Sequence, residues 1–118
     1  MEFNFKKELS LEKRIEKCNL LLLKNPDKVP IILEKDPNCK LEGNNCIKRL
    51  IKKDFTVGKF HLLIKKLFNI PEEQALFFSA KGKYNLTGEK TLEEVYKNYK
   101  DKEDGFLYIM YSSVLVYG

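Results

Sequence analysis

Apolar residues recur at helical spacing from the start of the chain. Phe3, Phe5 and Leu9 predict a short first segment. Ser10 then offers a side-chain oxygen to cap a longer helix on which Leu11, Ile15, Cys18 and Leu22 share one face. Asn25-Pro26 stops it. The period changes at Val29-Pro30-Ile31-Ile32-Leu33-Glu34, a run that predicts a strand, with Pro30 near its start where a missing N–H is tolerated. Residues 36–45, with Pro37 and Gly43, read as a loop. Ile47-Lys48-Arg49-Leu50-Ile51-Lys52 reads as a second strand, and its lysines mark it as an edge.

Thr56 predicts the cap of a further helix. Its core face is Val57, Phe60, Leu63, Ile64 and Leu67, and its solvent face Lys59, His61, Lys65 and Lys66. Asn69-Ile70-Pro71 ends it, a third strand covers residues 75–79, and Lys81-Gly82-Lys83 makes a turn. Thr91-Leu92-Glu93-Glu94 has the form of a capping box and starts a short helix through Tyr99. Residues 106–112 predict the last strand. After the leading helices the order is strand–strand–helix–strand–turn–helix–strand. This predicts an α+β ubiquitin-like β-grasp with two additional N-terminal helices. The expected division is a helical extension over residues 1–25, a core over 26–112 and a flexible tail over 113–118. Fold alone does not give function.

Composition narrows the classes. The 118 residues suit one domain, and 22 Lys and Arg against 17 Asp and Glu leave a net charge of +5. Such a surface favours anionic partners. Arginine is confined to Arg14 and Arg49, and the aromatics follow core periodicity, so no nucleic-acid partner is expected. No apolar run approaches the roughly 18 residues of a membrane span, and the N-terminus lacks the apolar stretch of a signal peptide. A cytoplasmic protein is therefore expected. Cys18, Cys39 and Cys46 form no C-x-x-C pair and read as reduced thiols. His61 has no carboxylate or cysteine at catalytic spacing, and Glu72-Glu73 and Glu93-Glu94 read as first-turn residues of helices. No phosphate-binding glycine loop, dinucleotide fingerprint or metal cluster is visible. The sequence predicts no enzyme, no metal and no cofactor.

Several segments, in order, resemble the autophagy-related protein 8 family of ubiquitin-like modifiers, which includes the GABA-receptor-associated and light-chain-3 proteins. They are Asp27-Lys28-Val29-Pro30-Ile31-Ile32-Leu33-Glu34-Lys35, Asp54-Phe55-Thr56-Val57-Gly58-Lys59-Phe60, Ala75-Leu76-Phe77-Phe78, Gly105-Phe106-Leu107-Tyr108-Ile109 and Tyr117-Gly118. The resemblance implies a modifier whose C-terminal glycine, here Gly118, is activated with ATP, carried on partner enzymes as a thioester and joined to phosphatidylethanolamine. A glycine lacks a Cβ and enters a narrow activating site. Implied partners are activating and conjugating enzymes, a cysteine protease that trims and deconjugates, and the autophagosomal or related organelle membrane. The protein would then be cytoplasmic until lipidation makes it membrane-associated.

The resemblance also implies a peptide site. A segment of the form aromatic-x-x-aliphatic adds beside the second strand, and its two anchors enter two pockets. The aromatic pocket would be lined by Lys17, Leu21, Pro30, Ile32, Lys48, Leu50 and Phe106. The aliphatic pocket would use Ile51, Phe55, Phe60 and Leu63, with Arg49 at its rim. A β-grasp core needs Ile32, Phe60 and Leu63 in any case, whereas Lys48 and Leu50 are harder to explain as core. Lys17, Arg49, Lys52 and Cys46 depart from the family pattern and make the rim more basic. The alternative reading is a non-conjugated module that binds tubulin or membranes through Lys6, Lys7, Lys13, Arg14 and Lys17.

Overall fold

The structure, a computed structural model, describes residues 3–39 and 46–115. Two helices, α1 (Asn4–Glu8) and α2 (Leu11–Lys24), precede strands β1 (Lys28–Lys35) and β2 (Cys46–Lys52). Helix α3 (Val57–Leu67), strands β3 (Gln74–Ala80) and β4 (Tyr84–Leu86), helix α4 (Leu92–Tyr99) and strand β5 (Leu107–Leu115) follow. The sheet order is β2-β1-β5-β3-β4. β1 and β5 run parallel at its centre, with Ile31 opposite Leu107 and Leu33 opposite Ile109. The other pairings are antiparallel. This is the expected β-grasp arrangement with two leading helices.

Alternation along the central strands feeds two separate cores. Val29, Ile31 and Leu33 of β1 and Leu107, Ile109 and Tyr111 of β5 pack with α3 and α4 through Phe60, Ile64, Leu92 and Val95. On the other face Ile32, Phe106, Tyr108 and Met110 meet Phe3, Phe5 and Cys18 from the leading segment. Burial of both faces explains why β1 reads as an unbroken apolar run rather than an alternating one. Ser10, Thr56 and Thr91 each accept a backbone N–H at a helix start, and Thr91 with Glu94 completes a capping box. Helix α3 closes through Asn69 at φ 53°, a left-handed position that asparagine tolerates.

Charged residues lock the leading helices to the sheet. Glu34, 4% exposed, accepts the backbone N–H of Asn4 at 2.8 Å and of Phe5 at 2.9 Å. On the opposite side the carboxylate of Asp104 accepts from the Phe106 N–H at 2.9 Å and from the Tyr108 hydroxyl. The Nε of Arg14 lies 3.1 Å from that carboxylate, close enough to pair in charge though not aligned as a hydrogen bond. Arg14 also donates to the carbonyls of Lys6 and Leu9, and Lys6 pairs with Asp101.

Some expectations are corrected. Leu63 and Leu67 are 37% and 40% exposed, because the buried stripe of α3 is limited to Val57, Phe60 and Ile64. His61 is half-buried rather than outward: its Nε2 lies 2.7 Å from the Leu76 carbonyl, and its ring meets Phe78 edge-on. Glu72 and Glu73 occupy a turn before β3, not a helix. Strand β4 was not foreseen. β5 runs three residues past Ser112, with Leu76 opposite Ser113 and Gln74 opposite Leu115. The expected boundary of the tail at 113 therefore falls inside a paired strand. Residues 116–118, and Gly118 with them, lie outside the described residues.

Candidate functional site

β2 is the outermost strand at one end of the sheet, with β1 on its inner side. A strand so placed turns a row of backbone groups outward, where an extended peptide can pair with it. Register sets Lys48 opposite Ile32 and Leu50 opposite Pro30, on the face that the leading helices cover. Between that face and α2 a cleft of about 370 Å³ opens, lined by Leu21, Pro30, Lys48, Leu50 and Phe106, with Ile31 and Arg49. Its floor is apolar, and its outer wall carries the exposed Lys48 and Arg49.

Most of the residues expected for an aromatic pocket therefore meet in one place. Two do not. Ile32 is fully buried beneath the cleft, in the cluster under the leading helices, and Lys17 stands exposed on α2 outside the lining. Arg49, expected at the rim of the other pocket, lines this cleft. Of the aliphatic set, Ile51 and Phe60 are buried in the main core and Phe55 packs against it. Leu63 alone among those four presents an exposed apolar side chain. Lys59 holds its ammonium 4.3 Å from the Phe55 ring centroid, so this flank also has a basic cover.

Cys46 and Cys18 are unsuited to nucleophilic work. Burial, then the negative charges of Glu34 and Glu8, push Cys46 up to about 11. Burial and Asp104 do the same to Cys18, also to about 11. Both stay protonated near neutral pH. Among the described residues further clefts open elsewhere, including a charged one at Lys6, Lys81 and Asp101 and an apolar one at His61, Leu76 and Phe77. Neither of these contains a residue singled out from the sequence for peptide binding.

A leading helical pair, a five-stranded sheet with parallel first and last strands, and a cleft beside its outer strand form one recognisable pattern. The model of the family described as autophagy protein Atg8, ubiquitin like, matches residues 13–118. The chain belongs to the Atg8 family. Its structure is similar to the crystal structure of Trypanosoma brucei ATG8, with a TM-score of 0.88 and 31% sequence identity over 100% of both chains. This Atg8-family chain is thus an autophagy-related ubiquitin-like protein.

Two residues behind the cleft of this Atg8-family protein were not singled out for the site from sequence. Phe5 touches Phe106 edge-on at 5.2 Å between ring centroids, and Lys48 places its ammonium 5.0 Å from the Phe5 centroid. Glu34 holds the helix that carries Phe5. Phe5 was legible as an apolar helical position, but Glu34 gave no signal beyond the end of a strand. A carboxylate directed inward by a five-residue helix is a tertiary fact.

Proposed function

We propose that the protein is a ubiquitin-like modifier that is joined through Gly118 to phosphatidylethanolamine and recruits partners with aromatic-x-x-aliphatic segments along β2. The observation that carries this reading is the cleft between Leu21, Pro30, Leu50 and Phe106 beside the outermost strand of an Atg8-family sheet. The aromatic anchor enters that cleft, and the aliphatic anchor rests on Leu63 and the Phe55 flank. Burial of each anchor stabilises the complex by about 1.5–3 kcal/mol. Main-chain pairing adds to this and ordering of the peptide subtracts, giving affinity on the order of micromolar, about −8 kcal/mol. Acidic residues beside the motif are drawn to Lys48, Arg49 and Lys52.

The protein acts here as a substrate and adaptor, not as an enzyme. Its enzymatic partners are the activating and conjugating enzymes and the deconjugating cysteine protease of the same pathway. One myristoyl-type chain holds a soluble domain marginally, while the two chains of a phospholipid hold it stably. Lipidation therefore moves the protein from the cytoplasm to an autophagosomal or related membrane. The alternative, a non-conjugated module using its basic N-terminus, is weakened because Lys6 and Arg14 are already paired with Asp101 and Asp104.

Conjugation tests the reading. The full chain, family activating and conjugating enzymes, ATP and liposomes containing phosphatidylethanolamine should yield one phospholipid adduct by intact mass. Gly118→Ala should abolish it. No adduct, with the enzymes active on a control modifier, would remove the lipid-modifier reading.

A further inference from the structure

We propose that α1 is the back wall of the peptide cleft, and that Glu34 is a positioning residue that couples the docking of α1 to motif affinity. This rests on the peptide-binding reading above. With five residues, α1 cannot hold itself together in water, and its N-cap residue Phe3 supplies no side-chain acceptor. Both oxygens of Glu34 make up that deficit, one on the Asn4 N–H and one on the Phe5 N–H. A helix so short stays folded where it is held, and Glu34 holds it from β1.

What α1 brings to the cleft is Phe5, which is 1% exposed and not itself part of the lining. Phe5 also meets Tyr108, but two of the side chains that rest on it, Phe106 and Lys48, are cleft walls. A peptide aromatic therefore lies against groups whose far sides are supported by α1. The same carboxylate reaches the start of the peptide-binding edge: Cys46 is the register partner of Glu34, and its Sγ lies 3.8 Å from Oε2. Release of α1 removes the packing behind Phe106, takes away the ring under Lys48 and frees one neighbour of β2. Affinity for a motif peptide then depends on α1 being docked. Coupling between sites is reciprocal, so a bound peptide must in turn stabilise α1.

The experiment pairs calorimetry, using a synthetic aromatic-x-x-aliphatic peptide with acidic flanks, with amide hydrogen exchange of the full chain. Glu34→Ala should weaken binding about tenfold, within the range usual for coupled sites. Glu34→Gln, which keeps one acceptor oxygen, should fall between it and the parent. Phe5→Leu keeps the cap and an apolar filler but loses the aromatic ring, and should weaken binding about threefold. In the parent, peptide should slow exchange across Asn4–Glu8; a purely structural role for Glu34 would not produce that protection. If Glu34→Ala fails to fold, Phe5→Leu and the parent exchange decide. A parent that binds peptide with no change in α1 exchange, or variants that bind as the parent does, would overturn the coupling. A parent that does not bind the peptide at all would overturn the peptide-binding reading itself.

Discussion

Removal of the Asp104 carboxylate should be among the most damaging single changes in the molecule. Its side chain is completely buried, and it serves the Arg14 guanidinium, the Tyr108 hydroxyl and the Phe106 N–H together. In Asp104→Ala, Arg14 remains with 9% of its side chain exposed and no counter-charge. Breaking a buried pair from one side costs about 3–5 kcal/mol, since the remaining charge is stranded. A chain of this size has roughly 6–18 kcal/mol of stability, so the loss is a large fraction of the whole. Urea denaturation followed by circular dichroism should show the midpoint fall by roughly 1.5–2.5 M, for a slope near the middle of the usual range. The double variant Arg14→Met/Asp104→Leu should recover the part of the loss that comes from the stranded charge, while the Tyr108 hydroxyl and the Phe106 N–H still lack their acceptor. A loss below about 1 kcal/mol, or a double variant no better than the single one, would refute the assignment of this network as the bolt between α2 and the sheet.

Three further outcomes are expected. Gly105→Ala should cost about 1–3 kcal/mol in thermal denaturation, because φ there is +86° and the new Cβ would lie 3.0 Å from Cys18 Sγ. Burial alone would raise the Asp101 carboxyl, but hydrogen bonds from Lys6 and from the Asp104 and Glu103 amides hold it below its usual value. A group lowered on folding contributes stability above its unfolded pKa and loses it as pH falls through the folded one. Denaturation midpoints should therefore stay level from neutrality to about pH 5 and decline below it, with a shallower decline in Asp101→Asn. Leu50→Ala should weaken motif-peptide binding at least about tenfold by calorimetry, through lost anchor burial; unchanged affinity would remove Leu50 from the site.

What was legible in the sequence was what depends on near neighbours. Ser10, Thr56 and Thr91 sit one residue ahead of helical patterns and cap them as expected, and Asn25-Pro26 stops α2. The edge position of β2 followed from its lysines, whereas Lys48 and Leu50 entered as site residues through the family resemblance. The misreadings are tertiary. Helical periodicity put His61 on the solvent side, but Leu76, the third residue of strand β3, brings its carbonyl against it. Leu63 and Leu67 fit an apolar stripe, yet no element covers that side of α3 sufficiently to bury them. Ile32 and Leu50 look alike in sequence; the helices overhead bury one completely and leave the other beside an open cleft. Strand β4, with three residues and two of them exposed, has too little pattern to announce itself.

The position of β5 has a consequence for incomplete chains. β1–β2 and β3–β4 are each joined locally, and within the sheet β5 alone links the two pairs. A chain interrupted before Leu107 would hold two unconnected ribbons, each with the inner edge of β1 or β3 bare and apolar. Such edges are templates for other strands. The fate of a truncated copy is then self-association or degradation rather than partial activity.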